Sequence, residues 1–293
     1  MNRRTFLAGS LATASATYLW LKGRSPSQPQ GPWEPEAYRI KPTSNVAILT
    51  AKDYTRPLTE TLLNGIKLFP LNVLGKTVVL KPNLVEYDPA GVINTHPTVI
   101  AAAIDAFRTL GAREVIVAEG PGHRRDNEYL LTASGLHDVL KEYKARYVDL
   151  DYDDVSTTKL KSRYTPFGQL YLPATVLKAD LFVSMPKMKT HHWAGVTLNL
   201  KNMFGIVPGA VYGWPKNLLH QAGIDQSILD INSTLTMPRF SIVDGIIGME
   251  GNGPIEGKAK AAGVLVLGDD PVAVDATVAR LMKIDPRKVP HLA

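Results

Sequence analysis

Three polar side chains alternate along the segment SMPKMKTH at residues 184–191. Successive side chains of an extended backbone point to opposite sides, so Lys187, Lys189 and His191 are expected to share one side. Three hydrogen-bond donors on one side form a seat for a carboxylate or a phosphate. The alternative is a solvated basic edge, because lysine commonly protects edge strands from pairing. The spacing favours an anion-binding site.

A second polar group lies in the apolar segment TLNLKNMFG at residues 197–205, which predicts a short helix ending at Gly205. Large apolar side chains surround Lys201 and Asn202 in this segment. A buried ammonium without a partner is energetically prohibitive, so Lys201 must reach water or contact an anion. That anion is either a bound ligand or the carboxylate of a structural ion pair, and both interpretations stay open.

Further candidates stand where predicted strands end. Lys81 and Asn83 follow the apolar run at 77–81, and Asp244 ends the run at 240–244. In open parallel sheets, ligands bind beyond the carboxyl ends of the strands. We therefore expect these side chains to meet residues 184–191 at one edge of a sheet. Simpler roles are a solvated strand end for the lysine and a turn cap for the asparagine.

Two more carboxylates lie in segments of opposite character. Glu250 belongs to the glycine-rich stretch 244–258, for which we predict a mobile lid that carries an acid or base; a plain surface loop is the alternative. Asp275 interrupts a nearly all-apolar helix predicted over 271–282 and needs a partner, for which Lys201, Lys81 and Arg280 are candidates. The predicted catalytic residues are thus Glu250, Asp244 and Asp275.

Apolar runs alternate with helical stretches from residue 45 onward. The runs are continuous instead of alternating with polar residues, which is typical of strands covered on both faces. The order predicts an α/β fold with a mostly parallel, doubly wound sheet and a small β excursion around 151–175. Strands are predicted at 45–50, 77–81, 114–118, 147–150, 180–184, 240–244 and 263–267, and helices at 56–69, 96–110, 127–145 with a break near Gly135, 222–234 and 271–282.

The amino-terminal part has a different character. Residues 1–24 begin with Arg3-Arg4, continue with Phe6-Leu7 and an apolar run, and resemble a twin-arginine export signal that is either cleaved or kept as an anchor. Residues 25–43 are rich in proline and predict a tether, and 44–293 predict one α/β domain. We therefore expect export to the periplasm through the twin-arginine machinery, with membrane contact only through the N-terminal segment.

Composition excludes several classes of function. The first 24 residues hold four of the 33 basic residues and no acidic one, so the remainder is nearly balanced and nucleic acid is not an expected partner. The chain has no cysteine, so we expect no cysteine-bound iron–sulfur cluster. A divalent metal held by His and carboxylate ligands is the open alternative. Its candidate ligands, without a supporting local spacing, are His96, Glu119, His123 and His191.

Several motifs together resemble those of the bacterial and archaeal domain-of-unknown-function family 362. They are LKPNLV (80–85), THP (95–97), SMPKMKTH (184–191), TLNLKNMFGIVPG (197–209), DGIIGMEGNGP (244–254) and GDDPVAVDATVARLM (268–282). Many similar proteins carry ferredoxin-type cysteine motifs, and that electron-transfer role does not carry over to a chain without cysteine. Similar proteins also continue beyond the last helix, so the resemblance implies a truncated or shorter C-terminus.

These observations lead to one expected function and two alternatives. We expect a cleft for a small anionic ligand, a carboxylate or phosphate, in an enzyme that combines lysine charge stabilisation with carboxylate acid–base chemistry. One alternative is a metal-dependent hydrolase or transferase. The other is a non-catalytic binding or cofactor-maturation protein, which folded export by the twin-arginine route implies as an option.

Overall fold

A computed structural model describes residues 43–55, 57–122 and 126–293. The predicted signal lies outside the described residues, and so does the predicted tether up to residue 42. The described strands are β1 (Val46–Thr50), β2 (Thr77–Pro82), β3 (Glu114–Glu119), β4 (Arg146–Asp149), β5 (Val155–Lys159), β6 (Gln169–Pro173), β7 (Leu181–Met185), β8 (Lys187–His191), β9 (Gly195–Thr197), β10 (Arg239–Glu250) and β11 (Lys258–Gly268).

Most of these strands form one sheet with the order β1-β11-β10-β7-β2-β3-β4, and β8 joins it by pairing with β10 and β9. The strands β4, β3, β2, β7 and β10 are parallel neighbours, whereas β11 runs antiparallel to both β10 and β1. A separate antiparallel pair, β5 and β6, occupies the predicted excursion. The predicted α/β class with a mostly parallel sheet is confirmed.

Helices cover both faces of this sheet, as the continuous apolar runs require. In β2, Val78 and Leu80 belong to a core on one face and Val79 to a core on the other, and all three are fully buried. The described helices are α1 (Thr59–Ile66), α2 (Pro97–Thr109), α3 (Asn127–Ala133), α4 (Leu136–Glu142), α5 (Ala174–Leu177), α6 (Asn199–Asn202), α7 (Gly209–Tyr212), α8 (Asn217–Gln221), α9 (Ile224–Thr234) and α10 (Pro271–Leu281).

Local signals set where several helices begin and end. The His96 side chain accepts the Thr98 N–H at the start of α2, and Asp270 accepts two N–H groups at the start of α10. The predicted break near Gly135 is confirmed, because this residue separates α3 from α4 with a positive φ of 76°. Among the described helices, none combines the length and the hydrophobicity that a membrane span requires.

The glycine-rich stretch that we predicted as a lid is about half strand and half turn, because 244–250 belong to β10 and 251–257 form the turn. β10 continues to Glu250 and forms a long hairpin with β11. A Cβ on Gly248 would lie 2.7 Å from the Met188 carbonyl oxygen, so glycine here permits β8 to pack closely on β10. The glycines serve close approach of two backbones, and composition alone does not distinguish that role from flexibility.

Candidate functional site

One cavity of about 330 Å³ lies beyond the carboxyl ends of β2 and β3 and beside β8. We call it the lysine cavity, because four lysines line it: Lys81 of β2, Lys189 of β8, Lys201 of α6 and Lys216 just before α8. The predicted residues Asn83, His191 and Asn202 line it as well. The structure therefore brings most of the predicted ligand-binding residues around one space.

Lys81 has its charge compensated within the protein. Its Nζ lies 2.6 Å from Glu119 Oε1 and donates to Pro82 O and Asn202 Oδ1, both at 3.1 Å. The Glu119 carboxylate also accepts two backbone N–H groups at 3.0 Å. Burial lowers the pKa of Lys81 and raises that of Glu119, and their mutual attraction opposes both shifts. This pair is a built-in ion pair at the wall of the cavity.

Lys189 is fully buried and lacks such a partner. Its Nζ donates to Ile93 O at 2.7 Å, and among the described residues it forms no ion pair with a carboxylate. Burial holds the pKa of Lys189 well below its usual value, and the nearby charges of Lys187 and Lys201 lower it further. An anion in the cavity would supply the missing counter-charge.

Lys201 also lines the cavity without a carboxylate beside it in the described part of the chain. Its Nζ lies 3.8 Å from the centre of the Phe204 ring, which is a cation–π distance. Burial lowers the pKa of Lys201 to about 7, with a further contribution from the positive charge of Lys81. Near neutral pH its amine therefore exchanges readily between the charged and the neutral form.

Asp275 positions the short helix that carries Lys201. Its carboxylate accepts the backbone N–H groups of Asn199 and Leu200 and the Asn199 amide, each at 2.8 Å. Burial raises the pKa of Asp275 to about 7, and these hydrogen bonds oppose the shift. The structure thus gives Asp275 backbone and amide partners at α6, whereas we expected Lys201, Lys81 or Arg280. It lies behind the lysine cavity instead of in its lining.

Two asparagines connect the strand ends with α6. Asn202 Oδ1 accepts from Lys81 Nζ at 3.1 Å and from Asn83 Nδ2 at 3.3 Å, and its Nδ2 donates to Ser184 Oγ at 3.1 Å. The Asn83 Oδ1 atom is buried without a hydrogen-bond partner among the described residues. A ligand or water that donates to this oxygen would satisfy it.

Gly205 does not end the helical segment as predicted, because α6 ends at Asn202 and a 3₁₀ helix over Met203–Ile206 continues through Gly205. A Cβ on this residue would collide with Glu119 Oε1 and Lys81 Nζ, so only glycine lets the backbone after α6 pass over their ion pair. The backbone oxygen of Gly205 also accepts the Gly120 N–H at 3.1 Å. These contacts connect the carboxyl end of β3 with the segment after α6.

Apolar and aromatic groups form another part of the lysine cavity. Its lining includes Phe204, Trp193 and Ile255, and the Trp193 side chain is 65% exposed. Burial holds the pKa of His191 at about 2, and the charge of Lys201 adds to this effect, so its imidazole is neutral. A neighbouring space of about 460 Å³ shares Trp193 and His220 with the cavity. The cavity is thus apolar around a group of amines.

Lys187 lies in a different polar cluster, which lines a second space of about 240 Å³. Its Nζ lies 2.9 Å from Asp244 Oδ2 and donates to Tyr54 Oη at 2.8 Å. Asp244 also accepts from Tyr54 Oη at 2.9 Å and from the His96 N–H at 3.0 Å. The structure therefore separates Lys187 and Asp244 from the other candidates and joins them in a satisfied, buried ion pair.

Glu250 is likewise distant from the lysine cavity. It stands at the exposed end of β10, where its carboxylate lies 3.5 Å from Lys260 Nζ across the hairpin. The tip of the hairpin does reach the cavity, through Pro254 and Ile255. The His192 N–H holds this tip by donating to Gly253 O at 3.0 Å. The predicted lid segment therefore lines the cavity through apolar residues, whereas the carboxylate of Glu250 does not line it.

Two charged residues of the lining, Glu119 and Lys216, were missing from the predicted site. Glu119 was not selected as a site residue, although its position at the end of β3 follows the same strand-end rule that identified Lys81. Lys216 forms a close, buried ion pair with Asp151. No sequence pattern indicated it, because it precedes a five-residue helix in an irregular segment and has a φ of 67°.

The histidines considered as metal ligands do not form one group in the structure. His96 caps α2 and stacks on Tyr54 with a ring separation of 3.7 Å, whereas His191 lines the lysine cavity. His123 lies outside the described residues. Within the described ranges, no three His, Asp or Glu side chains are grouped as a metal site would need.

Known proteins similar to this chain carry little functional description. Residues 78–280 match a family described as a domain of unknown function, DUF362. A thylakoid-associated protein of Synechocystis sp. is 29% identical over 230 residues, which cover 75% of this chain and 67% of that protein. A solved structure of a Thermotoga maritima protein matches with 11% identity and a TM-score of 0.46, and the match covers 78% of this chain. The structure of the lactate racemase apoprotein of Thermoanaerobacterium thermosaccharolyticum matches with 12% identity and a TM-score of 0.49, and the match covers 83% of this chain. This chain spans 58% of each of those two structures.

Proposed function

The chain belongs to the DUF362 family, whose description names no activity, and we propose that it binds a small organic anion in the lysine cavity. One observation supports this above all: Lys189 and Lys201 line the same cavity, and neither has a carboxylate partner among the described residues. Burying a lysine without a counter-charge is unfavourable. A bound anion turns this cost into binding free energy.

The number of unpaired lysines around the cavity favours a carboxylate or phosphate of modest size as the ligand. Lys81 and Lys216 already have carboxylate partners, so the two unpaired lysines can balance about one or two negative charges. The buried amide oxygen of Asn83 would accept a hydrogen bond from a donor on the same ligand.

The apolar part of the lining favours a ligand with an organic body. Phe204, Trp193 and Ile255 offer aromatic and aliphatic surface to the same space that the amines occupy. Small-molecule sites combine this kind of apolar lining with a few polar groups that set orientation. We therefore propose a carboxylate attached to a hydrophobic or planar group as the preferred ligand.

An enzyme is the form of this function that we propose. Amines around an apolar cavity stabilise negative charge that develops during a reaction. Lys201, with its pKa lowered to about 7, suits proton transfer at neutral pH better than the exposed Glu250 or the ion-paired Asp244. A protein that binds the anion without converting it is the alternative, and turnover decides between them.

Thermal unfolding in the presence of single anions tests the proposal. We expect at least one compound among phosphate, acetate, benzoate and phenylacetate to raise the melting temperature. A ligand at 100 times its Kd adds about 2.7 kcal/mol to the free energy of unfolding. Lys189→Met should remove this response, whereas Lys258→Met, at an exposed position on the hairpin, should keep it. Equal responses in wild type and Lys189→Met would overturn the proposal.

We also propose that the protein is exported to the periplasm by the twin-arginine pathway, because Arg3-Arg4 and Phe6-Leu7 precede an apolar run. The Synechocystis relative is described as thylakoid-associated, which is compatible with work at or beyond a membrane. A fusion of residues 1–43 to a folded reporter should leave the cytoplasm. The same fusion with Arg3→Lys and Arg4→Lys should stay inside, and export of both fusions would contradict the proposal.

A further inference from the structure

The lysines of the cavity differ in how far their amines are already engaged. Lys81 donates to a carboxylate, an amide oxygen and a backbone carbonyl, and Lys216 forms an ion pair with Asp151. Lys189 donates to the carbonyl oxygen of Ile93. For Lys201, the described residues supply the face of the Phe204 ring, and the charge of Asp225 acts on the amine without forming an ion pair with it. Lys201 is therefore the amine that is least committed to the protein.

The surroundings of Lys201 are those that make a lysine nucleophilic. An amine attacks only in its neutral form, and that form is favoured by apolar surroundings and by neighbouring cations. Lys201 has both, since it lies against Phe204 and its pKa falls to about 7 through burial and through the charge of Lys81. A lysine fully exposed to water would be almost entirely protonated at this pH.

We infer that Lys201 forms an imine with the carbonyl carbon of a small oxo acid whose carboxylate is bound by Lys189. This inference rests on the proposed anion site and deepens it by naming the substrate class. An oxo acid combines two groups that these two lysines complement. Its carboxylate would raise the lowered pKa of Lys189 again and favour the charged amine, and its carbonyl carbon is the electrophile for Lys201.

The step balances without any further reagent. The lone pair of the Lys201 nitrogen attacks the carbonyl carbon, a C–N bond forms, and the carbonyl oxygen takes up a proton to give a carbinolamine. The C–O bond then breaks, and the oxygen leaves as water. The products are one water and an iminium that keeps a single N–H; the amine supplies two of the three hydrogens involved and solvent supplies the third.

The helix that carries Lys201 is anchored, which holds the Lys201 amine in place for attack on a bound carbonyl carbon. The carboxylate of Asp275 holds the first two N–H groups of α6 at 2.8 Å, and Gly205 fixes the backbone just after this helix against Glu119. A nucleophile on an anchored element meets a bound carbon with little loss of conformational entropy. The anchor does not consume the amine, because Asp275 contacts backbone and amide groups.

Reductive trapping tests the inference. The full chain is incubated with pyruvate, 2-oxoglutarate or phenylpyruvate and sodium cyanoborohydride, and the adduct is located by peptide mass spectrometry. We expect at least one compound to label Lys201 in preference to other lysines. Labelling should increase as the pH rises through about 7, because the neutral amine becomes the main form. Lys201→Arg, which keeps a cation, should lose this label, and Lys258→Arg should keep it.

The outcomes separate this inference from the anion site on which it rests. If an oxo acid raises the melting temperature but labels no Lys201, the imine is overturned and the anion site stands. If Lys201→Arg is labelled as strongly as wild type, the reaction is adventitious and the imine is overturned. If none of these oxo acids, and no anion of the earlier panel, alters the melting temperature and Lys201 is unlabelled, both proposals fail.

Discussion

Lys187 and Lys189 lie two residues apart on β8 and are almost equally buried, at 2% and 0% exposure, yet they have opposite surroundings. Lys187 meets a carboxylate and a phenol, and Asp244 receives further hydrogen bonds from the neighbouring elements. Among the described residues, the amine of Lys189 has a hydrogen bond only with the backbone oxygen of Ile93. Burial by itself therefore does not assign a role to a lysine. A counter-charge within the protein accounts for the burial of Lys187, whereas the lack of one at Lys189 among the described residues supports the ligand that we propose.

The largest expected effect follows from breaking the satisfied pair. Asp244→Asn leaves the Lys187 ammonium buried without its counter-charge and weakens the acceptor for Tyr54 and His96. Removing one partner of a buried pair costs about 3–5 kcal/mol. We expect the free energy of unfolding, measured by urea denaturation, to fall by that amount.

A matched double variant sharpens this result. Lys187→Met combined with Asp244→Asn removes both charges, keeps an amide oxygen as an acceptor near Tyr54 and His96, and should recover a large part of the lost stability. A loss below about 1 kcal/mol for Asp244→Asn alone would mean that the two lysines of β8 do not differ as the structure indicates.

Lys189→Met should change the free energy of unfolding in the opposite direction to Asp244→Asn. It removes a buried amine without leaving a carboxylate unpaired, so we expect the free energy of unfolding to rise by about 1–3 kcal/mol in the absence of ligand. Its pKa is lowered in the folded state, so the unfolded state binds more protons and wild-type stability rises with pH until the ordinary lysine pKa of 10.5. The advantage of the variant should therefore shrink between neutral pH and that value. A loss of stability at neutral pH would contradict this interpretation.

Much of the fold followed from sequence because its signals are local. The continuous apolar run at β2 required cover on both faces, and Asp270 followed by Pro271 marked the start of α10. The strand at the start of the glycine-rich stretch was not predicted, for the reason seen at Gly248, where a neighbouring strand decides the role of the glycine. The spacing of residues within one segment does not predict its contacts with strands that are distant in sequence.

The candidate site also depends on tertiary contacts that the sequence did not predict. Period-two spacing put Lys187, Lys189 and His191 on one side of a strand, but it carried no information about which lysine would meet Asp244. The strand-end rule located Lys81 and Glu119 in one place, and only coordinates pair them at 2.6 Å. Charge partners are set by tertiary contacts, so lysines of one motif could not be sorted into paired and unpaired from the sequence.

The smallest expected effect concerns Glu250, which tests the comparison at an exposed ion pair. Its carboxylate lies 3.5 Å from Lys260 Nζ with both side chains more than half exposed, and such pairs contribute about 0–1 kcal/mol. We expect Glu250→Gln to change the free energy of unfolding by less than about 0.5 kcal/mol. Anion-induced stabilisation should stay at the wild-type value, because this side chain does not line the lysine cavity. Glu119→Gln, which strips the counter-charge from buried Lys81, should lower both quantities in the same assays. The opposite result, in which Glu250→Gln abolishes ligand binding and Glu119→Gln does not, would contradict this interpretation. The hairpin would then have to close over the cavity, and Glu250 instead of Glu119 would belong to the site.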